Sequence, residues 1–139
     1  MPPYAFLADL IVVVHFCYVT FTVGGELFIL LGGAFRRAWV RNLAFRLVHL
    51  ASVVLVAGEA LTGTSCPLTV LEYRLRTLAD QRVEAQISFV ARLVRDIIFY
   101  DFPPWVFLSI YIGFAAVVGL TFVLIPPQRR SASTDANRA

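Results

Sequence analysis

Three long apolar stretches dominate the pattern of hydrophobic and polar positions along the chain. They cover about residues 4–35, 39–61 and 104–126. At about 1.5 Å per helical residue, each is long enough to cross a hydrocarbon core of about 30 Å. The first exceeds that thickness, so we expect it to tilt or to project at one end. Only a few residues separate the first two stretches, which predicts that these two form an antiparallel hairpin.

The segment between the second and third stretches, 62–103, has a different pattern. Apolar residues recur every three or four positions from about 68 to 81, which is typical of an amphipathic helix. Thr69 and Glu72 have the spacing of a capping box at the start of this helix. A second amphipathic stretch over about 87–100 is too short and too charged to span a bilayer. We therefore expect one or two helices that lie along the membrane interface.

These patterns predict an all-α integral membrane protein with three transmembrane helices and one or two interfacial helices. A single membrane domain is expected over 1–127, followed by a polar, disordered tail over 128–139. Composition agrees with this class. Hydrophobic residues make up 59% of the 139 residues and charged residues 15%, against roughly 45–50% and about 25% in soluble domains.

The charges predict an orientation rather than a nucleic-acid partner. The net charge is +3, and acidic residues interrupt the arginines, so the chain has no basic patch of the kind that binds nucleic acid. Arginines occur in the turn after the first span and in the tail, at Arg36, Arg37, Arg41, Arg129, Arg130 and Arg138. The positive-inside rule makes this side cytoplasmic and the N-terminus external. The bias is small, because the opposite loop also carries arginines.

Ionisable residues inside the spans are the main candidates for function. Each costs about 2.5–3.5 kcal/mol to insert, so such residues are usually paired or functional. In an antiparallel hairpin, the numbers of facing residues have a nearly constant sum. Glu26 and His49 give 75, and His15 and Glu59 give 74. Two His–Glu pairs are therefore predicted, and Arg46 lies one turn from His49, where it can join Glu26.

Two interpretations of these pairs remain open. They can be structural, holding two helices together by hydrogen bonds within the membrane. Alternatively, they can form a proton relay, a quinone or haem pocket, or a substrate path. A haem held by both histidines is disfavoured, because His15 and His49 differ in depth by about 15 Å. The sequence requires no cofactor and identifies none.

Small residues in the first span predict close helix packing. They allow two backbones to approach, either within the hairpin or against a partner protein. The residues concerned are Gly24, Gly25, Gly32 and Gly33.

The sequence gives little indication of catalysis. Cys66 has no neighbouring base that would activate it, so a packed thiol is the simpler interpretation. A Gly-rich phosphate loop, a nucleophile elbow and a zinc-binding helix are all missing from the sequence. We therefore lean towards a protein that is not an enzyme.

Several motifs point to a known family. They are Leu7-Ala8-Asp9-Leu10 before His15, Glu59 before Thr62-Gly63, Cys66-Pro67-Leu68-Thr69 with Leu71-Glu72, and Pro103-Pro104-Trp105. Together they resemble the small bacterial membrane proteins catalogued as domain of unknown function 2784, over nearly the whole chain except the tail. The resemblance implies a multi-span protein of the bacterial inner membrane and supplies no activity. The family's shared polar set would be Asp9, His15, His49, Glu59, Cys66, Pro67, Thr69 and Glu72, whereas Glu26 and Arg46 look less typical.

The functional hypothesis at this level is a non-catalytic accessory or scaffolding subunit. Its partners would be the lipid bilayer and other membrane proteins, which it would contact through its glycine-bearing faces and the segment 68–100. The competing hypothesis is a transport or redox module that uses the intramembrane His and Glu residues as a proton relay or cofactor pocket.

Overall fold

A computed structural model describes residues 3–81, 87–100 and 102–128, and over these residues the protein contains helices and no strand. The helices are α1 (Pro3–Ala34), α2 (Leu43–Thr62), α3 (Pro67–Leu78), α4 (Phe89–Ile98) and α5 (Pro104–Leu124), with a short 3-10 helix at Ala38–Arg41. Gln128 is the only described residue of the predicted tail. The rest of the tail, with its three arginines, lies outside the described residues.

Three of the helices, α1, α2 and α5, are long and apolar enough to cross a membrane. They contain 32, 20 and 21 residues, and their most apolar windows have mean hydropathies of 2.0, 1.6 and 2.3. Only 17, 22 and 11% of those windows is buried inside the protein. Most of each helix therefore presents apolar side chains outward, as expected where lipid is the solvent. The predictions of an all-helical chain and of three helices of spanning length are confirmed.

Local signals set the ends of α2. The side chain of Asn42 accepts hydrogen bonds from the backbone N–H groups of Ala44 (3.0 Å) and Phe45 (3.3 Å), which caps the helix at Leu43. The helix ends where Gly63 takes a left-handed conformation with φ of 65°. The preceding 3-10 helix occupies the turn that connects α1 to α2.

The start of α3 contradicts the predicted capping box. Cys66 is the N-cap residue and Pro67 occupies the first helical turn, where its missing N–H costs nothing. Thr69 is therefore already inside the helix, and its hydroxyl oxygen has no hydrogen-bond partner. Glu72 points into the protein and does not return to the helix start. The capping-box prediction was wrong because Pro67 begins the helix, which puts the N-cap at Cys66, three residues before Thr69.

Packing buries polar groups inside the protein and leaves apolar ones outside. Helix α3 packs along α1, and α5 packs against α2. The buried polar side chains are His15, Thr22, Glu26, Arg46, His49, Glu72 and Thr121. Many Val, Leu, Ile and Phe side chains are exposed on the same helices. The candidate functional residues thus lie where the helices meet.

Candidate functional site

A cavity of about 310 Å³ lies among all five helices, and we call it the His15 cavity. Apolar side chains from α1, α2 and α5 line most of it. Its polar lining includes His15, Tyr18, Glu59, Cys66, Thr69 and Tyr111. Four of these residues, His15, Glu59, Cys66 and Thr69, belong to the polar set implied by the family resemblance. Residues up to 96 positions apart in sequence therefore meet at one place.

His15 and Glu59, the first predicted pair, both line this cavity. The His15 ring is 6% exposed and stacks on Phe89 of α4, with ring centroids 4.3 Å apart. Its Nδ1 atom has no hydrogen-bond partner. The Glu59 carboxylate accepts a hydrogen bond from the Cys66 thiol. His15 and Glu59 thus line one cavity, but His15 contacts Phe89 and Glu59 contacts Cys66.

Cys66 contributes a thiol that acts as a hydrogen-bond donor. Burial raises the pKa of the Cys66 thiol, and the charge of Glu59 acts in the same direction. At neutral pH the sulfur is therefore protonated and weakly nucleophilic. This agrees with the interpretation of Cys66 as a packed thiol.

Glu26 and His49, the second predicted pair, lie deeper in the helix bundle. Glu26 Oε2 is 4.0 Å from His49 Nδ1, too long for a hydrogen bond. His49 Nε2 is 2.8 Å from the carbonyl oxygen of Thr22, so Nε2 must carry the proton. Nδ1 is then an acceptor in the neutral ring. Both carboxylate oxygens of Glu26 lack a hydrogen-bond partner although the residue is 2% exposed.

Arg46 links α2 to the end of α5. Its Nη2 donates to the carbonyl oxygens of Thr121 (2.7 Å) and Ile125 (3.3 Å). The final carbonyl groups of a helix lack partners within the helix, and a guanidinium satisfies them well. Both Glu26 oxygens and Arg46 Nε are buried without a hydrogen-bond partner, so no hydrogen bond joins these two side chains. Sequence reasoning connected Arg46 with Glu26 and missed its contact with α5, which nothing in the local sequence indicates.

A second group of charges joins α1, α3 and α4, and we call it the Glu72 cluster. The two oxygens of Glu72 accept hydrogen bonds from Arg76 Nε (2.8 Å) and Arg92 Nη2 (2.7 Å). Arg76 Nη2 also donates to Asp9 Oδ1 at 3.0 Å. The hydrogen bond to Glu72 raises the pKa of Arg76, which is therefore charged at every physiological pH. A separate cavity of about 960 Å³ borders this cluster.

Sequence reasoning missed the two arginines of this cluster. For Arg92, the sequence predicted only that it belongs to the amphipathic stretch over about 87–100. The spacing of Glu72 and Arg76, four residues apart on one helix, was a signal that could have identified that pair. No comparable spacing indicates Arg92, which lies on another helix.

Three of the four glycines in α1 are used for contacts within the chain. A Cβ atom at Gly25 would lie 2.7 Å from Cδ2 of His49. A Cβ at Gly32 would meet Val40, and one at Gly33 would meet Ile125. Gly24 has open space around it. Gly25, Gly32 and Gly33 thus lie where α1 approaches other parts of this chain.

Metal binding finds no support in the described part of the chain. Over residues 3–81, 87–100 and 102–128, no three His, Cys, Asp or Glu side chains lie close enough to hold a metal ion. The His15 cavity combines hydrogen-bonding groups with apolar walls, which is the usual composition of a small-molecule site.

These features define a small helical protein with three helices of membrane-spanning length and, between them, a mainly apolar cavity with a few polar groups on its wall. The chain belongs to the family described as Protein of Unknown function (DUF2784), whose model matches residues 5–127. This confirms the family resemblance seen in the sequence. Comparison with curated proteins and with solved structures gives no match.

Proposed function

We propose that this protein is a multi-span protein of the bacterial inner membrane whose His15 cavity binds a small amphiphilic molecule from the bilayer. The observation that carries the proposal is a cavity with apolar walls in which buried polar groups of His15 and Thr69 lack partners. Buried polar atoms in proteins nearly always have a partner, which can be protein, water or ligand. A bound molecule would supply one.

The proposed membrane arrangement is a hairpin of α1 and α2 with α5 beside α2. Tyr18 donates to the carbonyl of Ser52 at 2.7 Å, and Thr22 contacts His49. Later residues of α1 thus meet earlier residues of α2, which supports antiparallel helices. We place α3 and α4 along the outer interface and the N-terminus outside, as the arginine distribution favours. The His15 cavity would then open near the outer leaflet.

The accessory-subunit hypothesis has less support than binding of a small molecule. It relied on glycine-bearing faces that are free to contact a partner protein and on the segment 68–100. Gly25, Gly32 and Gly33 are instead covered by side chains of this chain. The face of α5, with 11% of its most apolar window buried, is the surface on which such a partner could pack. Purification in mild detergent tests both hypotheses, because either a bound small molecule or a partner protein would be recovered with the chain.

The test compares two matched tryptophan variants on α2. Val56 lines the His15 cavity, whereas Val54 is apolar and exposed on the same helix. Val56→Trp fills the cavity, and Val54→Trp adds the same side chain toward lipid. Protein purified in mild detergent is extracted, and its bound small molecules are identified by mass spectrometry.

We expect the wild-type protein and Val54→Trp to carry a bound amphiphile that Val56→Trp lacks. Equal small-molecule content in all three proteins would contradict the proposal. A second protein that co-purifies in fixed ratio with all three, without a bound small molecule, would support the accessory-subunit hypothesis instead.

A further inference from the structure

Resting on the proposed function, we propose that the molecule in the His15 cavity carries a cationic amine that is held by the Glu59 carboxylate. The inference concerns the chemical class of the head group. It follows from the charges, the hydrogen-bonding capacity and the size of the cavity.

The lining contains an acid and lacks a strongly basic side chain. Among the described residues that line the cavity, Glu59 is the acidic side chain, and none is Arg or Lys. The nearest arginines of the neighbouring cluster, Arg76 and Arg92, are hydrogen-bonded to Glu72 at 2.8 and 2.7 Å. The cavity therefore holds a carboxyl group with no Arg or Lys on its walls, and His15 is the one histidine among its described lining residues. An ionised carboxylate in such surroundings is costly unless a partner compensates it.

Hydrogen-bonding capacity selects a donor-rich head group. An ionised carboxylate has about four acceptor positions, and a thiol is only a weak donor. The Cys66 thiol therefore satisfies little of the capacity of Glu59. An ammonium group supplies three donors and the opposite charge. Thr69, whose oxygen lacks a partner, lines the same cavity and provides a further acceptor.

The alternatives fit less well. A carboxylate or phosphate head would be repelled by Glu59 and would find no Arg or Lys among the described lining residues. An alcohol could donate one hydrogen bond but would leave the charge of Glu59 uncompensated. An amine is therefore the head group that complements both the charge and the acceptors.

The remaining lining sets the size of the apolar part. Val19, Val53, Val56 and Phe114 form part of the wall. The volume of about 310 Å³ lies at the lower end of the range for small-molecule sites, roughly 300–1,000 Å³. A single short alkyl chain or one ring system fits this space, and a phospholipid with two acyl chains exceeds it.

The test uses Cys66 as a reporter inside the cavity. Cys17→Ala removes the other thiol, so alkylation by N-ethylmaleimide reads Cys66 alone. The probes are octylamine, octanol and octanoate, which share one tail and differ in the head group. The rate of alkylation is measured in lipid nanodiscs at neutral pH, with and without each probe, in the wild-type cavity and in Glu59→Gln. Val56→Trp, which fills the cavity, is the control for binding elsewhere.

We expect octylamine to slow alkylation of Cys66 most strongly and octanoate least. In Glu59→Gln the affinity for octylamine should fall about tenfold, the effect of losing one charge-assisted hydrogen bond, while the affinity for octanol changes little. Protection must disappear in Val56→Trp. Each rate is compared with the rate of the same variant without probe, because Glu59 also contacts Cys66.

The outcomes separate this inference from the proposed function. If octanol or octanoate protects Cys66 as well as octylamine does, or if Glu59→Gln keeps full affinity for octylamine, the amine is excluded and the cavity still binds amphiphiles. If no probe protects Cys66 and purified protein carries no small molecule, the proposed function itself fails.

Discussion

At the scale of single residues, Glu72 shows how far tertiary contacts can change the role of a side chain. Its spacing from Thr69 suggested a capping box at the start of a helix. In the structure it is 2% exposed and accepts hydrogen bonds from arginines on two helices. A carboxylate can be buried at this level only because charged donors satisfy both oxygens. Glu72 therefore holds α4 to α3, and through Arg76 and Asp9 it holds α3 to α1.

The matched pair Glu72→Ala and Asp9→Asn tests this role. Glu72→Ala leaves two arginines, each about one quarter exposed, without their carboxylate. We expect it to lower the free energy of unfolding by about 2–3 kcal/mol, less than for a fully buried pair because water screens the arginines. Asp9, 69% exposed, pairs with Arg76 among the described residues, so Asp9→Asn should cost less than about 1 kcal/mol. Detergent-based unfolding followed by circular dichroism measures both. Equal losses would show that Glu72 has no special role.

The deeper polar residues show what register alone could predict. The matching sums indicated that Glu26 meets His49, and these side chains lie 4.0 Å apart. The same reasoning could not indicate that Thr22 supplies the hydrogen bond to His49. Register gives the depth of a residue along a hairpin, whereas hydrogen bonds depend on rotation about each helix axis. Rotation depends on packing with helices that are distant in sequence.

At the scale of helices, glycines determine how closely α1 approaches its neighbours. Gly24 and Gly25 are adjacent in sequence and identical in type, yet they differ in surroundings. A methyl group at Gly25 would meet the His49 ring, whereas one at Gly24 would meet nothing within 4 Å. His49 is 1% exposed and is hydrogen-bonded to Thr22, so its ring cannot move aside easily.

Gly25→Ala and Gly24→Ala therefore form a matched pair. We expect Gly25→Ala to destabilise the fold by about 1–3 kcal/mol, the usual cost of an overpacked interior. Gly24→Ala should be neutral or should stabilise the helix by up to about 1 kcal/mol, because alanine is the better helix former. The midpoint of thermal unfolding in detergent compares the two variants. A more stable Gly25→Ala protein would mean that α1 and α2 do not approach as the structure has them.

Helix α3 shows the limit of local capping rules. The spacing of Thr69 and Glu72 matched a capping box, but Pro67 began the helix earlier. Local signals compete, and the proline is decisive because its ring fixes φ near the helical value. Glu72 was then available for Arg92, a partner that only the packing of α4 supplies. The helix itself was predicted correctly, and the role of its residues was not.

At the scale of the whole molecule, the distribution of polarity is inverted relative to a soluble protein. Arg46, His49, Glu26 and Glu72 are buried, while the exposed faces of the long helices are apolar. This inversion is stable when hydrocarbon surrounds the helices, because polar groups then find partners only inside the protein. It also explains why the few polar groups of the His15 cavity lie between the helices.

The proposed orientation predicts which loops can be labelled from outside the cell. Ala38→Cys and Ser65→Cys place single thiols at exposed positions beyond opposite ends of α2, in a background that carries Cys17→Ala and Cys66→Ala. In intact cells, a membrane-impermeant maleimide should label the variant at position 65 and leave the variant at position 38 unlabelled. Both should react after permeabilisation. The reverse pattern would invert the orientation, and labelling of both in intact cells would mean that α2 does not span.

The sequence by itself determined the class of the protein, its three long apolar helices and its family. Hydropathy and helical period are properties of neighbouring residues, so a run of side chains carries that information without its partners. Only the tertiary structure decided that Cys66 and Thr69 share a cavity with the predicted pair of His15 and Glu59. It also decided that Arg46 and Glu72 bind the residues they do. These contacts join distant parts of the chain, and they depend on the rotation and packing of whole helices.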